Sequence, residues 1–316
     1  ERAMFARLRA QWSALNEWIR ALVLAFVALG FLHAFVVRFV SVRSTSMYAT
    51  LLPGDLVLVD RWNTWTGFRA GDIAVFHDPI QDDRVLARRQ LLIKRIVGLP
   101  GATVRLSDGQ LFVDGERMAT APNATWSHLV RMQHGADPRP VLKELGLPDF
   151  SAPAGRSYME LPLNATLAAR LEARAEVVGA EPMRMASGAP RHIFPFSPNY
   201  RWNTDDYGPL AVPKRGDTLV LNGATIALYD RIISRYEGHD LKNQGDRLVI
   251  DGTVTDRYVV EQDYYFVLGD SRHFSSDSRF WGFVPHDHLV GRASLVILSG
   301  DHGPALSDGS RTFTAL

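Results

Sequence analysis

The feature that most limits how this chain can fold is its single long apolar run, residues 21 to 37, which is interrupted only by His33 and flanked by Arg20 and Arg38. A membrane-spanning helix needs about 20 predominantly apolar residues, and flanking aromatic residues and snorkelling arginines extend the usable length. We therefore predict one transmembrane helix over residues 18–40. A buried core helix and a cleaved signal peptide are the alternatives, although no small-x-small site follows the run cleanly.

The residues before the run indicate its orientation. They include several arginines and two tryptophans suited to a membrane interface, namely Arg2, Arg7, Arg9, Arg20, Trp12 and Trp18. Because positive charge is enriched on the cytoplasmic side of a membrane, we predict that residues 1–17 are a cytoplasmic segment and that everything after residue 40 lies outside. The aromatic segment Trp62–Phe68 either packs on the rest of the fold or contacts lipid headgroups.

The composition excludes several classes of function. The sequence contains no cysteine, which removes thiol catalysis, cysteine-ligated zinc and disulfides. Lys plus Arg (35) nearly balances Asp plus Glu (34), so the overall charge does not indicate a nucleic-acid partner. With 316 residues, 46% of them hydrophobic, the chain is expected to bury one large core or two modest ones.

After residue 40 the hydrophobic pattern is that of short strands separated by Gly-Asp and Asp-Gly pairs, which are turn signals. The predicted strands are Leu56–Val59, Ile73–Phe76, Leu92–Val97, Val104–Leu106, Leu111–Val113, Thr218–Leu221, Leu248–Ile250, Tyr264–Leu268 and Leu289–Ile297. Tight hairpins are predicted at Asp108-Gly109, Asp114-Gly115 and Asp251-Gly252. We therefore predict a mainly β fold built on antiparallel sheets.

One segment within this pattern has a different composition. Residues 116–208 are rich in proline and contain one helical pattern, which Asn164 caps and Gly179 ends. The apolar residues at helical spacing within it are Leu167, Leu171 and Val178. We predict that this segment is an inserted α+β lobe.

The remaining boundaries follow from the lobe and the apolar run. We predict that residues 41–115 and 209–300 together form a β-rich catalytic domain, and that residues 301–316 are a C-terminal tail. The motifs that carry chemistry all fall within the β-rich part.

Three stretches in this part form an ordered set of motifs. Ser41–Asp55 contains Ser46 just after the apolar run, Leu91–Gly101 contains Lys94 within a β-branched run, and Gly269–Pro285 is rich in Gly, Asp, Ser and Arg. An isolated serine is a poor nucleophile, so no single stretch is specific. Together and in this order, the three resemble type I signal peptidases, which are membrane-bound serine proteases with a Ser-Lys dyad.

A Ser-Lys dyad requires a lysine that is neutral when the substrate arrives. A solvated lysine has a pKa near about 10.4, whereas lysines that act as general bases are tuned to about 7 to 8 by burial and by neighbouring groups. On a strand, Lys94 shares a face with Leu92 and Ile96, so an apolar environment is expected, and Arg95 points to the opposite face. On this stretch alone, a lysine facing water at a sheet edge is the alternative.

The resemblance implies roles for the residues around the serine. Ser46 precedes Met47, as the family's nucleophile precedes a methionine, and Ser44 stands where a hydroxyl contributes to the oxyanion hole together with the Ser46 N–H. Ala49 departs from the proline that is usual in the family, and we expect a looser turn there.

The third stretch also matches the family in most positions. The matching residues are Gly269, Asp270, Arg272, Ser275, Asp277, Ser278 and Arg279. By resemblance, Ser275 orients the lysine amine, and Asp277 and Arg279 form an ion pair that braces the site. Ser271, His273 and Phe274 depart from the pattern, and we interpret His273 as an exposed turn histidine without an inherited role.

The expected substrate site follows from these neighbours. Val42, Met47, Leu51 and Ile93 flank the reactive residues and are predicted to line shallow apolar pockets. By resemblance, the substrates are preproteins with small residues, typically Ala-x-Ala, before the cut. No cofactor or metal is expected, because His286 and His288 lack a third ligand and are interpreted as surface residues.

The resulting hypothesis is a signal peptidase of the bacterial inner membrane that is anchored by one span, acts outside that membrane and contacts preproteins and membrane lipids but no nucleic acid. The main alternative is a catalytically silent, membrane-anchored β-domain that acts as a binding scaffold. A self-cleaving regulator is disfavoured because no DNA-binding pattern is present. A trypsin-like reading of Gly269-Asp270-Ser271 fails because no glycines follow it and no disulfides are possible.

Overall fold

The computed structural model describes residues 12, 16–31, 36–147, 157–189, 192–244, 247–300 and 311–316. Its helices are α1 Glu17–Phe31, α2 Asn63–Thr66, α3 Arg139–Glu144, α4 Ala165–Glu172, α5 Ile226–Arg231, which continues as a π-helical turn over Ile232–Tyr236, and α6 Ser278–Trp281, with 3-10 turns at Leu86–Arg88 and His286–His288. Its strands are β1 Val37–Ser41, β2 Leu56–Asp60, β3 Ile73–His77, β4 Leu91–Gly98, β5 Thr103–Ser107, β6 Gln110–Val113, β7 Glu116–Arg117, β8 Trp126–Met132, β9 Tyr158–Leu163, β10 Val177–Pro182, β11 Tyr207–Ala211, β12 Thr218–Val220, β13 Leu241–Gln244, β14 Arg247–Ile250, β15 Thr253–Val254, β16 Arg257–Val259, β17 Tyr264–Leu268, β18 Val284–Pro285, β19 Leu289–Leu298 and β20 Thr314–Ala315. The mainly β prediction is confirmed.

The largest sheet is antiparallel and has the order β1-β2-β19-β3-β4-β17-β18, with β20 paired to β19. Its central strand β3 is buried on both faces: Ile73 and Val75 belong to one apolar cluster, and Ala74 and Phe76 belong to another. Successive strand residues face opposite sides, so a continuous apolar run such as this one is suited to a sheet that is covered on both sides. The smaller sheets are β11-β5-β6-β7, β12-β16 and β13-β14-β15.

All nine strands predicted from the sequence are present, and each end lies within one residue of its predicted position. The three predicted Asp-Gly hairpins are present as well, and both residues of each turn have positive φ, as in Asp108 at 49° and Gly109 at 70°. Type I′ turns need this conformation at both central residues, which is why Asp-Gly pairs specify them.

The segment predicted as an inserted lobe contains a separate antiparallel sheet of order β10-β8-β9, with α3 and α4 beside it. Its apolar cluster also includes Tyr48 and Leu52, which follow Ser46 in the chain. The core of this segment is therefore continuous with the turn that carries Ser46. The division of the chain into domains stays a prediction.

The helix predicted from Asn164 to Gly179 is shorter than expected. Asn164 does cap α4, because its side chain accepts a hydrogen bond from Leu167 N at 2.9 Å. The helix ends at Glu172, however, and Val178 and Gly179 lie in β10, which pairs with β8. Two β-branched residues, Val177 and Val178, begin the new strand, and such residues suit a pleated surface better than a helix.

The apolar run near the start of the chain forms the helix α1 and then a strand. The end of the span predicted over 18–40 is wrong, because Val37 to Ser41 pair with Asp60 to Leu56 of β2. Within the described residues, no helix has the length and the apolar character needed to cross a membrane. His33, Arg2, Arg7 and Arg9 lie outside the described residues, as does the Gly245-Asp246 pair.

The aromatic segment Trp62–Phe68 packs on the sheet through one ring, and its contact with lipid headgroups stays a prediction. Phe68 is buried and packs edge-on against Tyr265, with ring centroids 5.9 Å apart. The single helical turn α2 leaves Trp62 and Trp65 57% and 60% exposed, in edge contact with each other. The segment is thus anchored on the sheet by one ring and presents two others to solvent.

Candidate active site

Ser46 and Lys94 meet beside β4, an interior strand of the main sheet. Ser46 follows β1 in a hydrogen-bonded turn, Lys94 lies in the middle of β4, and Lys94 Nζ lies 2.7 Å from Ser46 Oγ. The amine also donates a hydrogen bond to the Ile93 carbonyl at 3.0 Å. Both side chains are largely buried, with 8% of Ser46 and 3% of Lys94 exposed.

The surroundings of Lys94 favour its neutral form. Burial lowers the pKa of Lys94 from 10.5 to about 8, although the carboxylates of Asp277, Asp78 and Asp270 act in the opposite direction. Leu92 packs against the apolar cluster that contains Ile96, as expected for two residues on the same face of a strand. A neutral amine can donate to a carbonyl and still accept the proton of a serine hydroxyl, so the geometry suits a general base.

Two hydrogen-bond donors lie next to the Ser46 hydroxyl. Ser44 Oγ is 3.1 Å from Ser46 Oγ. The Ser46 N–H makes no hydrogen bond within the part of the chain that the structure describes. Both groups are therefore available to a carbonyl oxygen placed at the serine, which is what an oxyanion hole requires.

The turn after Ser46 has an unusual backbone. Ala49 has a φ of 68°, a conformation that costs a residue with a Cβ about 1 to 2 kcal/mol. Proline is confined to a φ near about −65°, so the proline that is usual in the family could not occupy this turn as it stands. The turn at Ala49 therefore has a left-handed backbone that proline could not adopt.

Gly269 brings the third motif against the serine. A Cβ built on Gly269 would lie 2.2 Å from Ser275 Oγ and 2.5 Å from the Ser46 carbonyl oxygen, so only glycine fits. The Ser46 carbonyl in turn accepts a hydrogen bond from Ser271 N at 3.1 Å. Ser46 and Ser275 therefore both pack closely against this glycine.

The structure places Asp277 and Arg279 in contact and leaves Ser275 apart from the amine. Arg279 Nε and Nη2 bind the Asp277 carboxylate at 2.9 Å and 2.8 Å, and both side chains are buried. Burial raises the pKa of Asp277, but the Arg279 guanidinium and the Gly269 amide hold that pKa below its usual value. Ser275 Oγ is buried and makes no hydrogen bond to Lys94 within the described residues.

A second buried carboxylate joins the serine turn to the lysine strand. Asp270 accepts hydrogen bonds from Arg95 Nε at 2.8 Å, from Arg95 Nη2 at 2.6 Å and from Thr50 Oγ1 at 2.6 Å. Arg95 is the neighbour of Lys94, and Thr50 lies four residues after Ser46. Sequence reasoning matched Asp270 to a motif but gave neither it nor Arg95 a role, although a charged pair in two of the motifs was a usable signal.

The interpretation of His273 as an exposed turn residue is wrong. Its side chain is 9% exposed, Nε2 lies 2.8 Å from Asp205 Oδ1, and Nδ1 accepts the Ser127 N–H at 3.1 Å. The neighbouring backbone continues this contact, because Thr125 forms a parallel bridge with Ser271. His273 therefore ties the third motif to β8.

A cleft of about 510 Å³ opens at the reactive pair, between the end of β1 and the start of β4. Of the predicted pocket residues, Val42, Met47 and Ile93 line this cleft. Leu51 does not, because it is fully buried in the apolar cluster beneath. The prediction for Leu51 is thus corrected, because its side chain does not border the cleft.

The histidine pair near the end of the chain has structural partners. His288 is buried, with Nε2 3.2 Å from Arg89 Nη1 and Nδ1 2.7 Å from Asp287 Oδ1, so its interpretation as a surface residue is wrong. His286 lies between Tyr265 OH and the Thr64 carbonyl. No group of three or more potential metal ligands occurs within the described residues.

Comparison with known families places most of the chain in one of them. Residues 15–145 and 210–298 match the family model described as signal peptidase, peptidase S26. A solved structure with the same name, a signal peptidase I from Enterococcus faecalis V583, is 18% identical and covers 72% of this chain and 97% of that one. Its TM-score of 0.25 is too low to support an argument from its fold.

Individual relatives carry the same name. Signal peptidase I of Buchnera aphidicola subsp. Acyrthosiphon pisum (strain APS) is 23% identical over 87% of this chain and 73% of that protein. Signal peptidase I P of Bacillus subtilis subsp. natto is 29% identical over 36% of this chain and 58% of that protein. Signal peptidase I of Aquifex aeolicus (strain VF5) is 52% identical over 44 residues, 14% and 17% of the two chains. The chain thus spans less than two thirds of the length of the Bacillus and Aquifex relatives.

Proposed function

Because the chain belongs to the signal peptidase family, peptidase S26, we propose that it is a serine endopeptidase that removes signal peptides from exported preproteins. Ser46 attacks the carbonyl carbon of the scissile peptide bond, and Lys94 takes the proton of the serine hydroxyl. The observation that carries the proposal is the distance of 2.7 Å between Ser46 Oγ and a buried Lys94 amine with a lowered pKa.

The reaction proceeds by covalent catalysis. As the Ser46 hydroxyl loses its proton to Lys94, its oxygen bonds to the carbonyl carbon and forms a tetrahedral intermediate. Lys94 then returns the proton to the leaving amine, and the C–N bond breaks to give an acyl-enzyme. A water molecule, deprotonated by the same amine, hydrolyses the ester and frees Ser46.

The negative charge of the intermediate needs donors at a fixed position. We assign this role to the Ser46 N–H and to the Ser44 hydroxyl, which lies 3.1 Å from Ser46 Oγ. Replacing Ser44 with alanine removes one donor and should lower kcat by about 10- to 1000-fold. Unchanged kcat in Ser44→Ala would show that the charge is held elsewhere.

The walls of the cleft suit an extended peptide with small side chains. Residues 91 to 94 of β4 pair with β3 on one side, while β17 begins to pair only at Arg95. Among the described residues, β1 pairs with β2 alone. Both walls therefore have free backbone groups to which a substrate strand can hydrogen-bond. Val42 and Ile93 give the cleft apolar walls, which suit apolar side chains. Together with the family membership, this supports substrates with small apolar residues of the Ala-x-Ala type before the cut.

Other groups support a position at the outer face of a bacterial inner membrane. Apolar side chains of α1 are exposed, among them Leu24, Phe26 and Val27. Trp62 and Trp65 are also exposed, and Arg61 N binds Val36 O, which places this aromatic pair beside the chain that leads from α1 into β1. Tryptophan is enriched at membrane interfaces, so we assign both segments to contacts with lipid.

The test is cleavage of a preprotein with an Ala-x-Ala sequence before a known cut site. The purified chain should make a single cut there, and Ser46→Ala should make none. Ser107→Ala is the matched control, because this serine ends β5 in another sheet, and it should cleave normally. A chain that binds the preprotein without cutting it would favour the binding scaffold instead.

A further inference from the structure

The turn that follows Ser46 needs contacts from elsewhere in the chain to keep its shape. Ala49, three residues after the serine, has a positive φ that residues with a Cβ rarely adopt. Its two neighbours are held by distant groups: Tyr48 OH donates to the Leu145 carbonyl at 2.7 Å, and Thr50 Oγ1 donates to Asp270 at 2.6 Å. The conformation at Ala49 is thus imposed by tertiary structure.

A third contact reaches this turn from the far end of the sequence. Arg311 Nη2 donates a hydrogen bond to the Thr50 carbonyl and lies 3.4 Å from Asp55 Oδ2. Asp55 is fully buried, and the same oxygen accepts a hydrogen bond from Leu52 N at 2.9 Å. One guanidinium therefore binds both the residue after Ala49 and the carboxylate that closes the next turn.

The backbone that carries Arg311 is fixed on the main sheet. β20 pairs with β19, Phe313 N donates to the Val296 carbonyl at 2.7 Å, and Leu316 N donates to the Ser294 carbonyl at 3.0 Å. Residues 311–316 thus belong to the sheet and do not form a free tail. The side chain of Arg311 is 12% exposed, so it is held between the sheet and the serine turn.

We infer that Arg311 is a positioning residue for Ser46. By fixing the Thr50 carbonyl, it keeps the turn in the geometry that holds the serine hydroxyl at Lys94 Nζ. Arg311 makes no hydrogen bond to Ser46 or Lys94 within the described residues, so it acts through the turn alone. The inference rests on the proposed function, because its effect is on the reactivity of Ser46.

A cavity beside Arg311 makes this role testable by chemical rescue. The cavity has a volume of about 540 Å³, opens to solvent, and is lined by Ala49, Thr50, Arg95 and Arg311 among others. Arg311 lines the cavity, so its truncation to alanine should extend the space towards the two groups that the guanidinium binds, the Thr50 carbonyl and the Asp55 carboxylate. Methylguanidinium has the planar fork needed to bind both groups, whereas methylammonium is a compact point charge without that fork.

The experiment compares kcat and KM for preprotein cleavage in Arg311→Ala and Arg311→Lys, each with and without methylguanidinium or methylammonium. We expect Arg311→Ala to lower kcat by about 10- to 100-fold while KM changes little, because a small misplacement of a reacting group has an effect of this size. Methylguanidinium should restore at least about a fifth of the lost kcat. Methylammonium should restore none of the lost kcat. Without additive, the kcat of Arg311→Lys should lie between those of Arg311→Ala and the unmodified chain.

Arg292→Ala is the matched control. This arginine lies on β19, the strand that carries β20, and it pairs with Asp60 and Asp72 at 4.0 Å and 3.6 Å. Its loss removes the same charge from the same sheet but should leave kcat unchanged and insensitive to methylguanidinium. Circular dichroism of each variant shows whether the fold is retained.

The outcomes separate the inference from its premise. An active unmodified chain with an equally active Arg311→Ala variant contradicts the positioning role alone, as does a folded Arg311→Ala that methylguanidinium does not restore. If Arg311→Ala fails to fold, Arg311→Lys with full kcat would contradict the role as well. An unmodified chain that does not cleave the preprotein contradicts the proposed function.

Discussion

Lys94 and Arg279 are both buried basic residues of the motifs around the serine, and the protein treats them in opposite ways. Lys94 is 3% exposed and, among the described residues, hydrogen-bonds only to neutral groups, the Ser46 hydroxyl and the Ile93 carbonyl. Arg279 is 1% exposed and is bound through two nitrogens to the Asp277 carboxylate. Burial without a paired carboxylate lowers the pKa of Lys94 to about 8, whereas Arg279 keeps its counter-ion.

The difference shows how one small region supplies both chemistry and rigidity. A buried ion pair is costly to break because either partner alone is an uncompensated charge, so Asp277 and Arg279 act as a fixed brace. A buried amine without such a partner instead gives up its proton readily, as a general base must. Replacing Lys94 with a permanently charged group should therefore lower activity. Removing the counter-ion of Arg279 should lower stability.

The largest effect on activity is expected when the amine of Lys94 is replaced by a guanidinium like that of Arg279. A guanidinium stays protonated at any usable pH, so Lys94→Arg cannot take the serine proton and should lower kcat by about 10⁴-fold. Steady-state cleavage of the preprotein measures this. Lys242→Arg, at an exposed lysine paired with Asp240, is the control and should be fully active. An active Lys94→Arg enzyme would show that Lys94 is not the base.

The next largest effect is expected when Arg279, like Lys94, is buried without a paired carboxylate. Asp277→Asn removes the counter-ion and leaves a buried guanidinium unpaired, which should lower the free energy of unfolding by about 3 to 5 kcal/mol. Denaturant titration measures this, with Asp256→Asn as the control at an exposed ion pair, where a change of less than about 1 kcal/mol is expected. Equal changes in the free energy of unfolding of the two variants would contradict the bracing role of the Asp277–Arg279 pair.

A smaller effect should appear in the stability of the unmodified chain as a function of pH. The folded state releases the Lys94 proton near pH 8, while the unfolded chain keeps it up to about pH 10.5. Below pH 8, burying the charged amine therefore costs about 3 kcal/mol, and this cost fades as pH rises from 8 to 10.5. The free energy of unfolding should rise by that amount relative to Lys94→Met, and a constant difference across this window would contradict the lowered pKa.

Local sequence signals were sufficient for most of the sheet. β-branched runs bounded by Asp-Gly pairs specify strands and type I′ turns within a few residues, which is why the nine predicted strands are present. β1 was hidden because Val37, Phe39 and Val40 are apolar and suit the end of a helix as well as a strand. The end of α4 was misplaced for a related reason, since Val178 fits the apolar spacing of a helix as well as that of a strand.

Contacts between distant residues carried much less signal. His273 binds Asp205 and Ser127, which are 68 and 146 residues away, and nothing in its own turn indicates them. Arg311 and Thr50 are 261 residues apart, and a lone arginine near the end of the sequence reads as a surface residue. The proximity of Ser46 and Lys94 was inferred from a resemblance to a family and not from local pattern.

The most direct test of the central claim is the pH dependence of kcat/KM for the unmodified chain. If the free amine of Lys94 is the base, kcat/KM should rise about tenfold per pH unit under acidic and neutral conditions and level off above a midpoint of about 8. A midpoint near 10.5 would mean that the amine is solvated in the folded protein. A profile that is flat across neutral and alkaline pH would contradict a lysine base altogether.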